Sequence, residues 1–320
     1  MATNVNFSNQ SILSYYCTPS VGNTIDWMTG RDYLENKLSG LVNNAVSEDP
    51  QKLLDLRKQL FNNKRIEQVS IPSKDGLTTL DGALFKSEKP AKGAIFLILG
   101  SGGCYEKIAD ENDLASSFVN FFQSDVGNDI DILVVNPRGI GESKGAPSYQ
   151  KWVSDMHDGV KYLLDKGYSA EHVLVYGHSF GGWIGVDAVK NFNDQKKEIS
   201  VASDRAFSNF ANEVFYYLGG GIKGYAAYAL ATYAKWNANT EQSWQSLIDK
   251  SLIIYSPDDH TIPPAASLFA GLQKKGYFKQ DSDTHYFIFR GGNEVHKRSF
   301  TQEEKAQLAP TLRQMMNLNS

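Results

Sequence analysis

A chain of 320 residues with 41% hydrophobic and 21% charged side chains has the composition of a globular protein, long enough for one large domain or two small ones. The balance of 36 acidic against 32 basic side chains leaves a net charge of −4, which excludes the basic face of a nucleic-acid binder. Two cysteines, Cys17 and Cys104, with no CxxC and no His/Cys cluster at metal spacing, exclude a disulfide framework and a zinc site.

The N-terminus, MATNVNFSNQSILSYYC, has neither a basic n-region nor an apolar h-region. No Sec-type signal peptide is expected, and the reducing cytoplasm is the expected compartment; leaderless export would leave no trace. Residues 1 to about 30 are polar and irregular. Two helical patterns follow: Leu34, Leu38, Leu41, Val42 and Ala45 share one face, and after Asp49-Pro50, a good N-cap and N1 pair, come Leu53, Leu56, Leu60 and Phe61. An N-terminal helical extension over 1–64 is expected.

From about residue 65 short apolar strands alternate with helices: 65–71, 78–85, 93–99, 130–136, 172–176, 199–203, 252–255 and 284–289. Strands separated by helical stretches imply βαβ units and a mostly parallel eight-stranded sheet flanked by helices over 65–320. The close pair 65–71 and 78–85, joined by SKDG, reads as an antiparallel hairpin at its start.

Between strand 172–176 and the helix that starts at Phe180 lies Gly177-His178-Ser179-Phe180-Gly181, a G-x-S-x-G pattern in a strand-to-helix turn. So sharp a turn strains the serine backbone by about 1–3 kcal/mol and needs glycine at the flanking positions. In exchange Oγ stands exposed above the carboxyl edge of the sheet, and the Phe180 N–H at the helix start can receive an anion. The plain alternative is a glycine-rich turn with a solvated serine.

A serine nucleophile needs a histidine and an acid, in the chain order Ser, Asp or Glu, His. Of six histidines, His178 lies in the elbow itself, His157 sits mid-helix, His172 precedes a strand and His260 follows the acid candidates. His285 falls inside a strand, whereas His296, in the loop RGGNEVHKR after the last strand, is the candidate base. The acid comes from the loop after 252–255, where Asp258 and Asp259 are both available and the plain reading is a pair of turn residues.

From about residue 65 to 300 the chain resembles the α/β-hydrolase superfamily, more narrowly serine hydrolases similar to the Bem46-like and ABHD-type acyl hydrolases. The resemblance rests on GHSFGG, on NPRGIGESKGAPS at 136–148, on SPDDHTIP and on GGNEVH, in that order. It places the catalytic acid at Asp259, four residues before Pro263. It also implies that Arg138 shapes the turn at the sheet edge, bonding carbonyls and acids in preference to substrate. After the third strand the chain departs from the superfamily: Leu99-Gly100-Ser101-Gly102-Gly103 lacks the usual histidine. The glycines remain, so the expected oxyanion donors are the N–H groups of Ser101, or of Gly102 one residue on, and Phe180.

The insert at about 204–245 falls where this superfamily places a lid. It contains VFYYLGGGIKGYAAYALATYAKW, in which Tyr225, Tyr228, Thr232 and Trp236 fall on one helical face. Too rich in glycine and tyrosine for a transmembrane helix, it reads either as a cover for the sheet or as a lid that binds an acyl chain or makes peripheral contact with a membrane. Cys104 has neither an elbow nor a base beside it, so it is not read as a nucleophile.

The expected function is hydrolysis of small-molecule carboxylic or thio esters, with lipid or fatty-acyl esters favoured, by a Ser179-His296-Asp259 triad without cofactor or metal. An acyltransferase using the same triad and a silent hydrolase fold used for binding are the alternatives.

Overall fold

The computed structural model describes residues 50–195, 197–247, 250–277, 286–292 and 294–318. The expected helix through Leu34 and Leu41, and His285, lie outside the described residues. The strands are β1 (Ile66–Pro72), β2 (Thr79–Phe85), β3 (Gly93–Ile98), β4 (Ile130–Val135), β5 (Val173–His178), β6 (Ser200–Asp204), β7 (Ser251–Tyr255) and β8 (Tyr286–Ile288). They form one sheet in the order β1-β2-β4-β3-β5-β6-β7-β8. β2 is antiparallel to both β1 and β4, with Ile66 opposite Phe85 and Pro72 opposite Thr79, and every other pair is parallel.

The helices are α1 (Pro50–Phe61), α2 (Leu114–Phe121), α3 (Tyr149–Asp165), α4 (Phe180–Asn193), α5 (Phe210–Tyr217), α6 (Gly221–Tyr233), α7 (Thr240–Trp244), α8 (Leu268–Lys274) and α9 (Gln302–Met315). β3, β4 and β5 are buried along their whole length because helices cover both faces, as a parallel sheet requires. Alternation sorts their side chains. Phe96, Ile98, Leu133 and Val175 meet Trp152 and Met156 of α3 and Trp183 of α4. Ile95, Leu97, Val134 and Tyr176 meet Phe118 and Phe121 of α2 and Leu312 of α9 on the other face.

α1, at the end of the expected extension, packs against this second face through buried Leu60. Its Arg57 pairs with both carboxylate oxygens of Asp81 in β2, at 2.6 and 2.9 Å. β5 runs two residues beyond its predicted end, because Gly177 and His178 continue to pair with Ser203 and Asp204 of β6. That continuation carries the strand up to the elbow serine.

All parallel strands point their carboxyl ends to one edge. The segments after β3, β5, β6, β7 and β8 therefore converge there, where ligands bind in open α/β sheets. α5 and α6, between β6 and β7, contribute to a cavity at that edge.

Candidate active site

Ser179 has φ +54° and ψ −119°, a left-handed-side conformation that an L residue occupies at a cost of about 1–3 kcal/mol. Tertiary bonds hold it there: its N–H donates to Asp204 O at 2.8 Å, and its carbonyl accepts from Gly182 N–H at 3.0 Å. The glycines on either side are sterically required. A Cβ on Gly181 would stand 2.2 Å from Ile98 O, and one on Gly177 2.4 Å from Gly181 O.

The structure brings Ser179, His296 and Asp259 together. Ser179 Oγ is 2.9 Å from His296 Nε2, and His296 Nδ1 is 2.7 Å from Asp259 Oδ2. In the neutral ring this means that Nδ1–H donates to the carboxylate and Nε2 accepts from the hydroxyl. The other oxygen of Asp259 accepts from the N–H groups of Thr261 and Ile262, both at 2.9 Å. Asp258, its neighbour, instead accepts from Gly291 N–H at 2.9 Å and ties the acid loop to the segment after β8. All three residues are buried, yet Ser179 and His296 border a cavity. So placed, the imidazole can take a proton from Oγ and the carboxylate can hold the resulting imidazolium.

His178, the elbow's second residue, turns away from Oγ and donates through Nε2–H to His296 O at 3.0 Å. Burial, then the positive Arg205 and the charge of His296, hold its pKa well below the ordinary histidine range, so the ring is neutral with one N–H to give. Arg205, directly after β6, is wholly buried and donates to Val295 O and Arg298 O, on either side of His296. Neither contact was foreseen from the sequence. The one available signal was the Asp204-Arg205 pair at a strand's carboxyl end.

The N–H groups of Ser101, Gly102 and Phe180 have no acceptor among the described residues, and all three residues border the cavity. The bond from Gly103 N–H to Gly100 O, 3.0 Å, fixes the turn that presents Ser101 and Gly102. The cavity has a volume of about 690 Å³ and lies between this edge and α5 and α6. Phe207, Phe210, Val214, Ala227 and Leu230 give it an apolar wall.

The expected lid face is corrected here. Tyr225 is 67% exposed and packs its ring at a tilt against Phe215, Tyr228 is 40% exposed, and neither borders the cavity. α6 turns its small and aliphatic side inward because Gly224 lets it approach Phe215 O closely; a Cβ there would stand 2.8 Å away. Trp236 is off that helix altogether. The chain reverses at Lys235, φ +61°, and Trp236 is buried against Trp152 and Phe210 instead of bordering the cavity.

Residues 58–270 match the family described as Chlamydia CHLPS protein (DUF818). The chain belongs to that family. The match includes the elbow and Asp259 and stops short of His296. Among curated proteins, this DUF818 chain is similar to the multifunctional-autoprocessing repeats-in-toxin of Vibrio vulnificus, 31% identical over 167 residues. It is similar also to that of Vibrio cholerae, 28% identical over 169 residues. The matched segment is 49% of this chain and only 3% of the length of either relative.

Among solved structures it resembles an alpha-beta hydrolase from Vibrio vulnificus, with TM-score 0.65, 20% identity and coverage of 91% of this chain and 94% of that one. An esterase of Pyrococcus furiosus follows, with TM-score 0.57, 15% identity and coverage of 78% and 91%. An esterase of Pyrobaculum calidifontis has TM-score 0.54, 16% identity and coverage of 89% and 97%. The DUF818 chain has the α/β-hydrolase fold, with the sheet order and parallel core described above.

Elsewhere in the DUF818 chain, Arg138 is buried and bonds both oxygens of Asp155 and one of Asp75. Cys104 is buried, and burial pushes its thiol up to about 12. Among the described residues no group of three or more His, Cys, Asp or Glu side chains could hold a metal, and no helix is long and apolar enough to cross a membrane.

Proposed function

We propose that the protein hydrolyses acyl esters, carboxylic or thio, through an acyl-enzyme on Ser179. The carrying observation is the hydrogen-bonded line Ser179 Oγ, His296 Nε2, His296 Nδ1, Asp259 Oδ2 at the edge of an apolar cavity. Ser179 Oγ attacks the acyl carbonyl as its proton passes to His296 Nε2. The N–H groups of Phe180 and of Ser101 hold the oxyanion. Collapse of the tetrahedral intermediate expels the alcohol or thiol, which takes the proton from His296. Water, activated by the same imidazole, then attacks the acyl-enzyme and releases the acid. Asp259 keeps His296 in the tautomer that accepts from Oγ and stabilises the imidazolium.

The apolar wall favours a fatty-acyl or lipid ester, and two proteins that share this fold, from Pyrococcus furiosus and Pyrobaculum calidifontis, are esterases. An acyltransferase would share every step up to the acceptor, and nothing in the cavity favours one over water. Fluorophosphonate labelling and hydrolysis of graded acyl esters, for wild type and Ser179→Ala, test the reading. Ser179→Ala is expected to lose labelling and to fall by about 10⁴–10⁶ in turnover while melting as wild type does. A labelled, active Ser179→Ala would end it.

A further inference from the structure

Glu213, in α5, is 7% exposed, and its Oε2 is fully buried with no hydrogen-bond partner among the described residues. It borders the same cavity as Ser179 and His296, among Phe210, Val214, Tyr217 and Leu218. A carboxyl in an apolar wall with one oxygen sealed from solvent and unpaired lacks a partner, and the cavity it borders is where a ligand's own polar group can supply one.

We propose that Glu213 is a specificity-determining residue whose carboxyl hydrogen-bonds a hydroxyl carried on the chain of the bound ester, so that the preferred substrates are hydroxylated rather than plain alkyl esters. This rests on the ester-hydrolase reading above and goes beyond it in naming what distinguishes the substrate.

The charge around the site favours an uncharged partner. Burial, and then the nearby Asp259 carboxylate, push Glu213 up to about 8, so near neutral pH the group is a protonated acid with an O–H to donate and a carbonyl to accept. The other charged or titratable side chains bordering the cavity are Lys107, Asp113, His178, Tyr217, His296 and Lys297. Two lysines against the single carboxylate of Asp113 disfavour an ammonium ligand. A hydroxyl both donates and accepts, and can satisfy the carboxyl without bringing in charge. A site built to bond a hydroxyl discriminates strongly against the analogue that lacks it, because its own polar group is then left unpaired.

The test measures kcat/KM of the full chain as wild type, Glu213→Gln and Glu213→Leu. Substrates are 4-nitrophenyl octanoate, its monohydroxy derivatives with the hydroxyl at each chain position in turn, octanoyl monoesters of diols, and octanoylcholine. Wild type is expected to prefer at least one hydroxylated ester over its unsubstituted counterpart by about tenfold or more. Glu213→Gln, which keeps a donor and an acceptor, retains that preference in large part, and Glu213→Leu loses it. Glu213→Ala serves in place of leucine where the larger side chain perturbs folding. No preference for any hydroxylated ester, a preference that survives in the leucine or alanine variant, or a preference for the choline ester overturns the inference alone. Wild type that turns over no ester and takes no phosphonate label overturns the proposed function, and this inference with it.

Discussion

Arg205 Nη1 donates to the carbonyl of Val295, the residue before His296, at 2.8 Å, although the two lie 90 positions apart in the chain. The same nitrogen donates to Arg298 O at 2.9 Å, so the segment carrying the imidazole is held at both ends from β6. The remaining guanidinium nitrogens meet both oxygens of Asp204, and Asp204 also accepts from Tyr176 O–H at 3.0 Å. The rings of Phe289 and Phe300 lie 5.4 and 5.3 Å from the guanidinium carbon.

Arg205 is therefore a positioning residue. Arg205→Met leaves the Asp204 carboxylate buried and uncompensated, and a loss of about 3–5 kcal/mol is expected in chemical denaturation. Adding Asp204→Asn should restore part of that loss. In whatever folds, kcat for ester hydrolysis is expected to fall while KM moves little, because the imidazole is displaced and the apolar wall is intact. Arg205→Lys should rescue incompletely, since an ammonium cannot reproduce the bidentate pair together with two carbonyl contacts. An unchanged kcat in folded Arg205→Met would refute the positioning role.

The two adjacent carboxylates of the acid loop make a paired test. Asp259→Asn is expected to lower kcat by about 10⁴, because an amide facing Nδ1 favours the wrong tautomer. Asp258→Asn removes only the bond to Gly291 N–H and is expected to leave turnover within a small factor of wild type. Steady-state kinetics on one ester decide it. If Asp258→Asn is the crippling change, the acid has been misassigned.

Glu213 also imposes a pH dependence on stability. In the folded chain its carboxyl holds its proton up to about 8, whereas in the unfolded chain it releases it near the ordinary 4.5. Between those values the folded state binds more protons, so stability falls as pH rises. The contribution is fully present below about pH 4.5 and is lost as pH climbs through about 8. Glu213→Gln removes this term. Its stability relative to wild type should rise between about pH 5 and pH 9 in urea melts, and the difference separates Glu213 from Asp155 and Asp187, which burial also raises. Parallel curves for the two proteins would contradict it.

Tyr228 and Leu230 divide the two faces of α6. Tyr228→Ala, on the exposed side, is expected to change stability by no more than about 0.5 kcal/mol and to leave acyl-chain preference alone. Leu230→Trp, which intrudes on the cavity, should penalise long chains selectively, by about 0.8 kcal/mol in kcat/KM for each methylene it excludes. A graded ester series with both variants is the measurement. A shift with Tyr228→Ala and none with Leu230→Trp would place the acyl chain elsewhere.

Strands, elbow and acid loop were legible in the sequence because their signals are local. The apolar runs of β3, β4 and β5 need no partner to be recognised, and the glycines around Ser179 answer a turn only a few residues long. The order of loops along the chain is likewise enough to nominate His296 and the loop with Asp258 and Asp259, since parallel strands bring every carboxyl end to one edge, whereas the choice of Asp259 within that loop came from the superfamily resemblance. Only the tertiary structure decided which side of α6 faces the cavity. Helical periodicity groups Tyr225, Tyr228 and Trp236 but cannot say that Gly224 lets the helix lie close on Phe215, or that the chain reverses at Lys235. Arg205 and Glu213 were silent for the same reason. What a buried ionisable group does depends on which distant groups reach it: carbonyls 90 and 93 positions away in one case, and in the other an apolar wall that leaves a carboxyl oxygen with no partner among the described residues.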